Sequence, residues 1–287
     1  MDKRKICITT DCACDLPADI LKRYDIDLMY FYIETDTGRF RDVDEITAQN
    51  VFEYVESGGR RAVSKAPLVE DFRDFFNQKL RNCDEIIHIA ISSRISMCVR
   101  NSTSAAGQLG AAANRIHIFD SGHLSTGIGL LVMHAAEMAE MGYGVEEILA
   151  SLERMREKVS TTFIAKNADY LYRNEKVSKT VKELCSKFSI HPVLEMKNGY
   201  LKMKTIQIGD YEKCALRYVR KTLKNTQAID AGRVFITHAG CTVNDIKMIR
   251  REVDKLMAFD SVMVSNASAT ISGNSGPRTF GVLFVKK

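Results

Sequence analysis

Residues 85–96 read Glu85-Ile86-Ile87-His88-Ile89-Ala90-Ile91-Ser92-Ser93-Arg94-Ile95-Ser96. A nearly continuous apolar run breaks abruptly into hydroxyls. A run of this length, rich in isoleucine, fits a strand buried on both faces in a parallel sheet covered by helices. The polar break then marks the carboxyl end of that strand, where open α/β sheets bind their ligands.

The pattern recurs on either side. Residues 5–10 form a β-rich run that ends in Thr9-Thr10-Asp11-Cys12-Ala13-Cys14-Asp15. Residues 115–119 form another, ending in Asp120-Ser121-Gly122-His123-Leu124-Ser125. Residues 27–33 read as a further strand. Helical patterns separate most of these strands. Phe72, Phe75, Phe76 and Leu80 share one face, and residues 127–141 are apolar and stop at Gly142. Residues 145–159 place Val145, Ile148, Leu149, Leu152, Met155 and Val159 on one stripe, the period of an amphipathic helix. Strands alternating with helices predict a mostly parallel sheet with helices on both faces.

The second half reads differently. Residues 193–196 and 200–207 predict a hairpin turning on Asn198-Gly199, a pair suited to a tight turn that needs positive φ. A basic helix is expected over 210–223, and buried strands over 234–237, 262–264 and 280–285. Between the first two of these lies a helix with Ile246, Ile249, Val253 and Leu256 on one face, capped by Asn244. The reading is therefore α/β with two domains. Residues 1–160 carry the mostly parallel sheet, and 161–287 carry a mixed or antiparallel one.

Composition narrows the function. The formal charge of +5 over 287 residues is small, and the acidic residues are dispersed, so no nucleic-acid partner is expected. No apolar run reaches transmembrane length, and the basic start leads into a short strand rather than a signal peptide. The expected location is the cytoplasm, and a monomer is the default. The 8 cysteines show neither Cys-x-x-Cys nor paired Cys/His spacing, so no metal is expected. Glycine-rich nucleotide motifs and the G-x-S-x-G elbow are absent, and no cofactor is expected.

What remains are the hydroxyl-rich strand ends. Hydroxyls and N–H groups at helix starts can hold a carboxylate or phosphate without a full positive charge. Asp11, Asp120 and Ser121 belong to these clusters, and each can equally serve as an ordinary helix cap.

The clusters and their order resemble the DegV family over essentially the whole chain. Thr10-Asp11-Cys12-Ala13-Cys14-Asp15-Leu16-Pro17 is similar to the family's T-D-S-x-x-D-L-P, and Ser64-Lys65-Ala66-Pro67 falls on T-S-Q-P. Ser92-Ser93-Arg94-Ile95-Ser96-Met97-Cys98 falls on S-S-x-L-S-G-T. Asp120-Ser121 with Ser125-Thr126-Gly127-Ile128-Gly129 matches D-S-x-x-x-S-x-G-x-G. Tyr170-Leu171 to Lys176-Val177 falls on Y-L-x-x-G-G-R-I, and Ile190-His191-Pro192-Val193-Leu194 on I-K-P-I-L. Residues 272–281 fall on the C-terminal G-x-H-x-G-P-G-x-x-G.

The resemblance implies a non-catalytic carrier or sensor of a long-chain fatty acid, held in an apolar tunnel between two domains. It assigns the carboxylate to Ser64, Ser92, Ser93 and Ser96, with Asn274 as a further head-group contact and Lys176 near the head group. Members that serve fatty acid kinases use an arginine and a histidine where this chain has Lys176 and Asn274. Lysine cannot reproduce a bidentate guanidinium, so the kinase partner is implied only in altered form. Met97 and Cys98 replace the family's Gly-Thr and crowd the head-group approach. The alternative is an enzyme acting on a phosphate or acyl ester. It would use Asp11, Asp120 or Ser93, with His123 turned inward as the base.

Overall fold

The computed structural model describes residues 5–59, 62–174 and 178–287. The first half runs β1 (Ile6–Asp11), α1 (Ala18–Arg23), β2 (Asp27–Met29), β3 (Tyr32–Glu34), β4 (Arg39–Arg41), α2 (Ala48–Glu56), β5 (Val63–Lys65), α3 (Val69–Lys79), β6 (Glu85–Ala90), α4 (Cys98–Gly107), β7 (Ile116–Asp120), α5 (Thr126–Met141) and α6 (Val145–Arg156). The second runs β8 (Val159–Ser160), β9 (Thr162–Ile164), α7 (Asp169–Arg173), α8 (Lys179–Lys187), β10 (Ile190–Lys197), β11 (Tyr200–Ile208), α9 (Tyr211–Thr222), β12 (Ile229–Ala239), α10 (Val243–Leu256), β13 (Ser261–Asn266), α11 (Ala269–Ser275) and β14 (Thr279–Lys286). None of these helices is long and apolar enough to cross a membrane.

Three sheets result. The first is parallel, in the order β2-β1-β6-β7. Its central strand β6 is buried from Ile86 to Ala90, as its unbroken apolar run requires. The second is mixed and follows β11-β10-β9-β14-β12-β13, with β8 paired to β14. Within it β12 and β13 are parallel and the other pairs antiparallel. The third is small and antiparallel, β4-β3-β5, and packs Ile33 against Ala269 of α11. Helix α5 is buried on every face from Thr126 to Met133 because it touches both large sheets, through β1 and β6 and through β8 and β14. A helix enclosed on every face has no need of a polar stripe.

Three expectations need correction. Residues 27–33 are not one strand. Asp27–Met29 pairs with β1, while Tyr32–Glu34 joins the small sheet. Between them Phe31 is buried, and its N–H donates to Cys12 Sγ at 3.2 Å instead of to a strand. Val159 leaves the helical stripe to pair with Val285 in β8. The cap of α10 is Thr242, not Asn244. The Thr242 hydroxyl accepts from Asp245 N at 3.1 Å, and the Asp245 carboxylate accepts from Thr242 N at 2.9 Å. This reciprocal box satisfies two orphan amides, leaving Asn244 inside the first turn.

Gly281 of β14 lies opposite Phe163 of β9. A Cβ there would stand 2.5 Å from the Thr162 carbonyl oxygen and 2.6 Å from the Phe163 ring. Because backbone cannot yield as a flexible side chain does, Gly281→Ala is expected to destabilise the fold by about 1–3 kcal/mol. Urea unfolding would show a lower midpoint with an unchanged slope. An unchanged midpoint would mean that the β9–β14 contact is looser than described.

Candidate functional site

A cavity of about 890 Å³ lies where the sheets meet, within the roughly 300–1,000 Å³ range of small-molecule sites. Ser64 of β5 and residues 93–97, the loop after β6, line one side. Leu194 of β10, Leu201 of β11, His238 of β12 and Asn274 of α11, the last hydrogen-bonded to Ser64, also line the cavity. Phe31, Phe163, Leu171 and Ile271 extend the apolar wall.

The hairpin tip closes down on the β6 loop. Asn198 and Gly199 both have positive φ, 53° and 78°, as the tight turn needs. The Gly199 carbonyl accepts from Ser92 Oγ at 2.7 Å. A side chain at Gly199 would meet Ser92 Oγ and Arg94 Cγ, both at 2.9 Å. Glycine therefore serves the turn and the close approach together.

The structure brings four of the expected residues into the wall: Ser64, Ser93, Ser96 and Asn274. Asn274 Nδ2 donates to Ser64 Oγ at 3.2 Å and to the Thr270 carbonyl at 2.8 Å, tying α11 to β5. Ser96 lines the cavity while its hydroxyl accepts from Cys98 N at 3.3 Å, at the start of α4. Ser92 is fully buried outside the lining, because its hydroxyl is committed to Gly199. It anchors the hairpin rather than facing a ligand.

Asp11, Asp120 and Ser121 also stay outside the lining and shape the loops from behind. Asp11 Oδ2 accepts from Ile91 N at 2.7 Å. Asp120 Oδ1 accepts from Ser93 N at 3.2 Å and from Gly122 N at 3.0 Å. Two carboxylates from the strands that flank β6 thus clamp the segment that presents Ser93. Ser121 Oγ accepts from His123 N at 3.1 Å. Lys176 lies outside the described residues.

His123 is not positioned as a base for a serine. Its Nε2 lies 2.9 Å from the Arg156 carbonyl and its Nδ1 3.0 Å from Thr161 Oγ1. Burial pushes its pKa down. Cys12 and Cys14 are likewise buried, and burial pushes both thiols up, away from the reactive thiolate. The N-terminal amides of α11 are also engaged, since Asp42 accepts from Ala269 N at 2.8 Å and Thr270 N at 2.7 Å.

Some wall residues escaped the sequence reading. Phe31 lies between β2 and β3, and Thr270 and Ser275 lie on α11, which no apolar periodicity in the sequence marks. His238 directly follows the expected strand 234–237, so its place at a strand's carboxyl end was an available signal. Its pKa is lowered by burial, which outweighs the nearby Asp245 carboxylate. Lys65 and Arg94 stand exposed at the rim, Lys65 at 3.8 Å from Glu34 and Arg94 over the Tyr200 ring. Chemically, the arrangement suits an amphiphile. It offers an apolar chamber and one wall of hydroxyl and amide groups.

Comparison with known proteins agrees with this geometry. A family model described as "Uncharacterised protein, DegV family" matches residues 5–287. A DegV domain-containing protein of Caldanaerobacter subterraneus subsp. tengcongensis is 29% identical over 286 residues, covering 99% of each chain. A fatty acid-binding protein of Thermotoga maritima is 26% identical over 284 residues and 96% of each chain. A solved structure described as fatty acid binding of a DegV family protein from Thermus thermophilus superposes with a TM-score of 0.88. It is 25% identical, and the match covers 99% of this chain and 100% of that one.

Proposed function

The chain belongs to the DegV family, and on that premise we propose that it binds one long-chain fatty acid as a carrier or sensor. The observation that carries this reading is the cavity itself. Hydroxyl and amide groups distant in sequence, Ser64, Ser93 and Asn274, share one wall of a chamber otherwise lined by apolar side chains. In this reading Ser64, Ser93 and Asn274 hydrogen-bond the carboxylate, with Ser96 beside them. The acyl chain lies along Phe31, Phe163, Leu194 and Leu201. Each buried methylene is worth about 0.8 kcal/mol, enough over a long chain to outweigh the ordering cost of binding.

The same reading takes the chain as two units, 1–160 and 161–287, with the cavity at their junction. Two apolar cores support the division. One is built around Ile8, Ile86 and Leu130 and takes in Phe163, Phe235 and Leu283 at the junction, the other wholly from residues between Ile164 and Phe284. The proposal does not include handover to a kinase. At the position where kinase-serving members of the family carry a histidine, this chain has Asn274, whose neutral amide can donate a hydrogen bond but cannot exchange a proton.

A Ser64→Ala/Ser93→Ala double variant tests the head-group assignment. A hydrogen bond to a charged group is worth about 1.5–3 kcal/mol, so the loss of two should lower palmitate affinity by more than about a hundredfold. Calorimetric titration would read this. Unchanged affinity would overturn the assignment of the carboxylate to these hydroxyls.

A further inference from the structure

We propose that Met97 and Met203 form an oxidative modification site at the cavity mouth, where a hydroperoxide turns their thioethers into sulfoxides and loosens the bound acid. The inference rests on the fatty acid reading above and adds to it a chemical means of release.

Strand register places Met203. On β11 it pairs with Leu194 of β10, which in turn pairs with Phe163 of β9. Residues directly opposite in antiparallel strands share a face of the sheet, and Leu201 joins them two positions before Met203. All four line the cavity. Because β11 is the edge strand of its sheet, this face runs outward from Phe163, 7% exposed, to Met203, 49% exposed. Met97, just before α4, is 46% exposed and lines the cavity as well.

Access decides which sulfurs react. Thioether oxidation needs no deprotonation and follows solvent exposure. Among the described methionines only Met97, Met141 and Met203 are more than a third exposed. Met141, at the end of α5, does not line the cavity and serves as an internal control. The thiols are less accessible, since seven of them are buried and Cys241 is half-buried.

The chemistry needs only the hydroperoxide. A sulfur lone pair attacks its terminal oxygen, and the S–O bond forms as the O–O bond breaks. Sulfur loses two electrons. The departing oxygen takes the proton of the transferred hydroxyl and leaves as water or an alcohol. Each apolar thioether becomes a polar sulfoxide. An acyl chain lying across it then strips water from the S–O group without returning a hydrogen bond.

The test treats the full chain with dilute hydrogen peroxide, with and without palmitate, and reads each methionine by peptide mass spectrometry. Met97 and Met203 should each gain one oxygen, several-fold more slowly when palmitate is bound, while Met141 oxidises at the same rate in both. Calorimetric titration should show palmitate affinity falling by about tenfold or more. Methionine sulfoxide reductases should restore it. In M97L/M203L, whatever its starting affinity, peroxide should change nothing. Full oxidation of both residues with unchanged affinity, or an equal loss in M97L/M203L, would overturn the proposal and leave the fatty acid reading intact. If untreated wild type takes up no palmitate at all, both fall together.

Discussion

A Leu201→Trp variant is expected to lose palmitate affinity by about a thousandfold while remaining folded. Leu201 lies on β11, half-buried, with its side chain in the cavity wall and Met196 as its cross-strand partner. The hairpin that carries it is pinned at its tip by the Ser92–Gly199 hydrogen bond, so the strand has little freedom to swing away. An indole would occupy cavity space rather than close-packed core. Excluding about five methylenes at about 0.8 kcal/mol each removes about 4 kcal/mol of binding. Shorter acids, which leave that space empty, should lose less. Titration with decanoate and palmitate reads the difference, and a thermal melt confirms folding. Equal affinity for palmitate in variant and wild type would show that the acyl chain does not run past Leu201.

The second large effect concerns Asp15. This residue is buried with φ at 53°. Its carboxylate accepts from Ser268 N at 2.9 Å and Ser125 Oγ at 2.5 Å, and its carbonyl accepts from Ser265 Oγ. One side chain therefore joins the turn after β1, the start of α5 and the β13–α11 corner. Asp15→Ala leaves a buried amide and a buried hydroxyl without an acceptor, at an expected cost of about 3–5 kcal/mol.

Asp15→Asn separates charge from hydrogen bonding. Burial pushes the Asp15 carboxyl up to about 7 from 3.8, despite the opposing hydrogen bonds from Ser125 and Ser268. The folded state therefore holds a proton that the unfolded chain releases. The stabilisation is fully present below the unfolded value of about 4 and is lost as pH rises through about 7. Burial moves Asp42 in the same direction. Urea midpoints for wild type and Asp15→Asn, measured between pH 4 and 8, should show the wild type losing ground to the variant as pH rises. A gap that does not change with pH would mean that Asp15 is ionised throughout.

The features legible in the sequence were those set by local physics. The hydrophobic run of β6 announced a doubly buried strand, and Asn198-Gly199 announced the turn between β10 and β11. The hydroxyls at 64, 93 and 96 were visible as a class, since few other roles require so many at strand ends. Features set by tertiary contacts were not legible. The break at Phe31 depends on Cys12, 19 positions away in the chain. Ser92 and Ser93 are indistinguishable in sequence, yet the hairpin tip claims the first and leaves the second for the cavity. The reciprocal Thr242/Asp245 cap is readable from its spacing, with a hydroxyl three residues before a carboxylate, which Asn244 lacks. Asp11 and Asp120 were seen as candidates for the ligand, and only the structure shows them gripping the backbone that presents it.

The most direct test of the carrier reading is native mass spectrometry of freshly purified protein, followed by denaturing extraction and lipid analysis. The account predicts the mass of the chain plus one long-chain fatty acid, with the extra mass lost on denaturation. A bare chain that also takes up no added palmitate would contradict it.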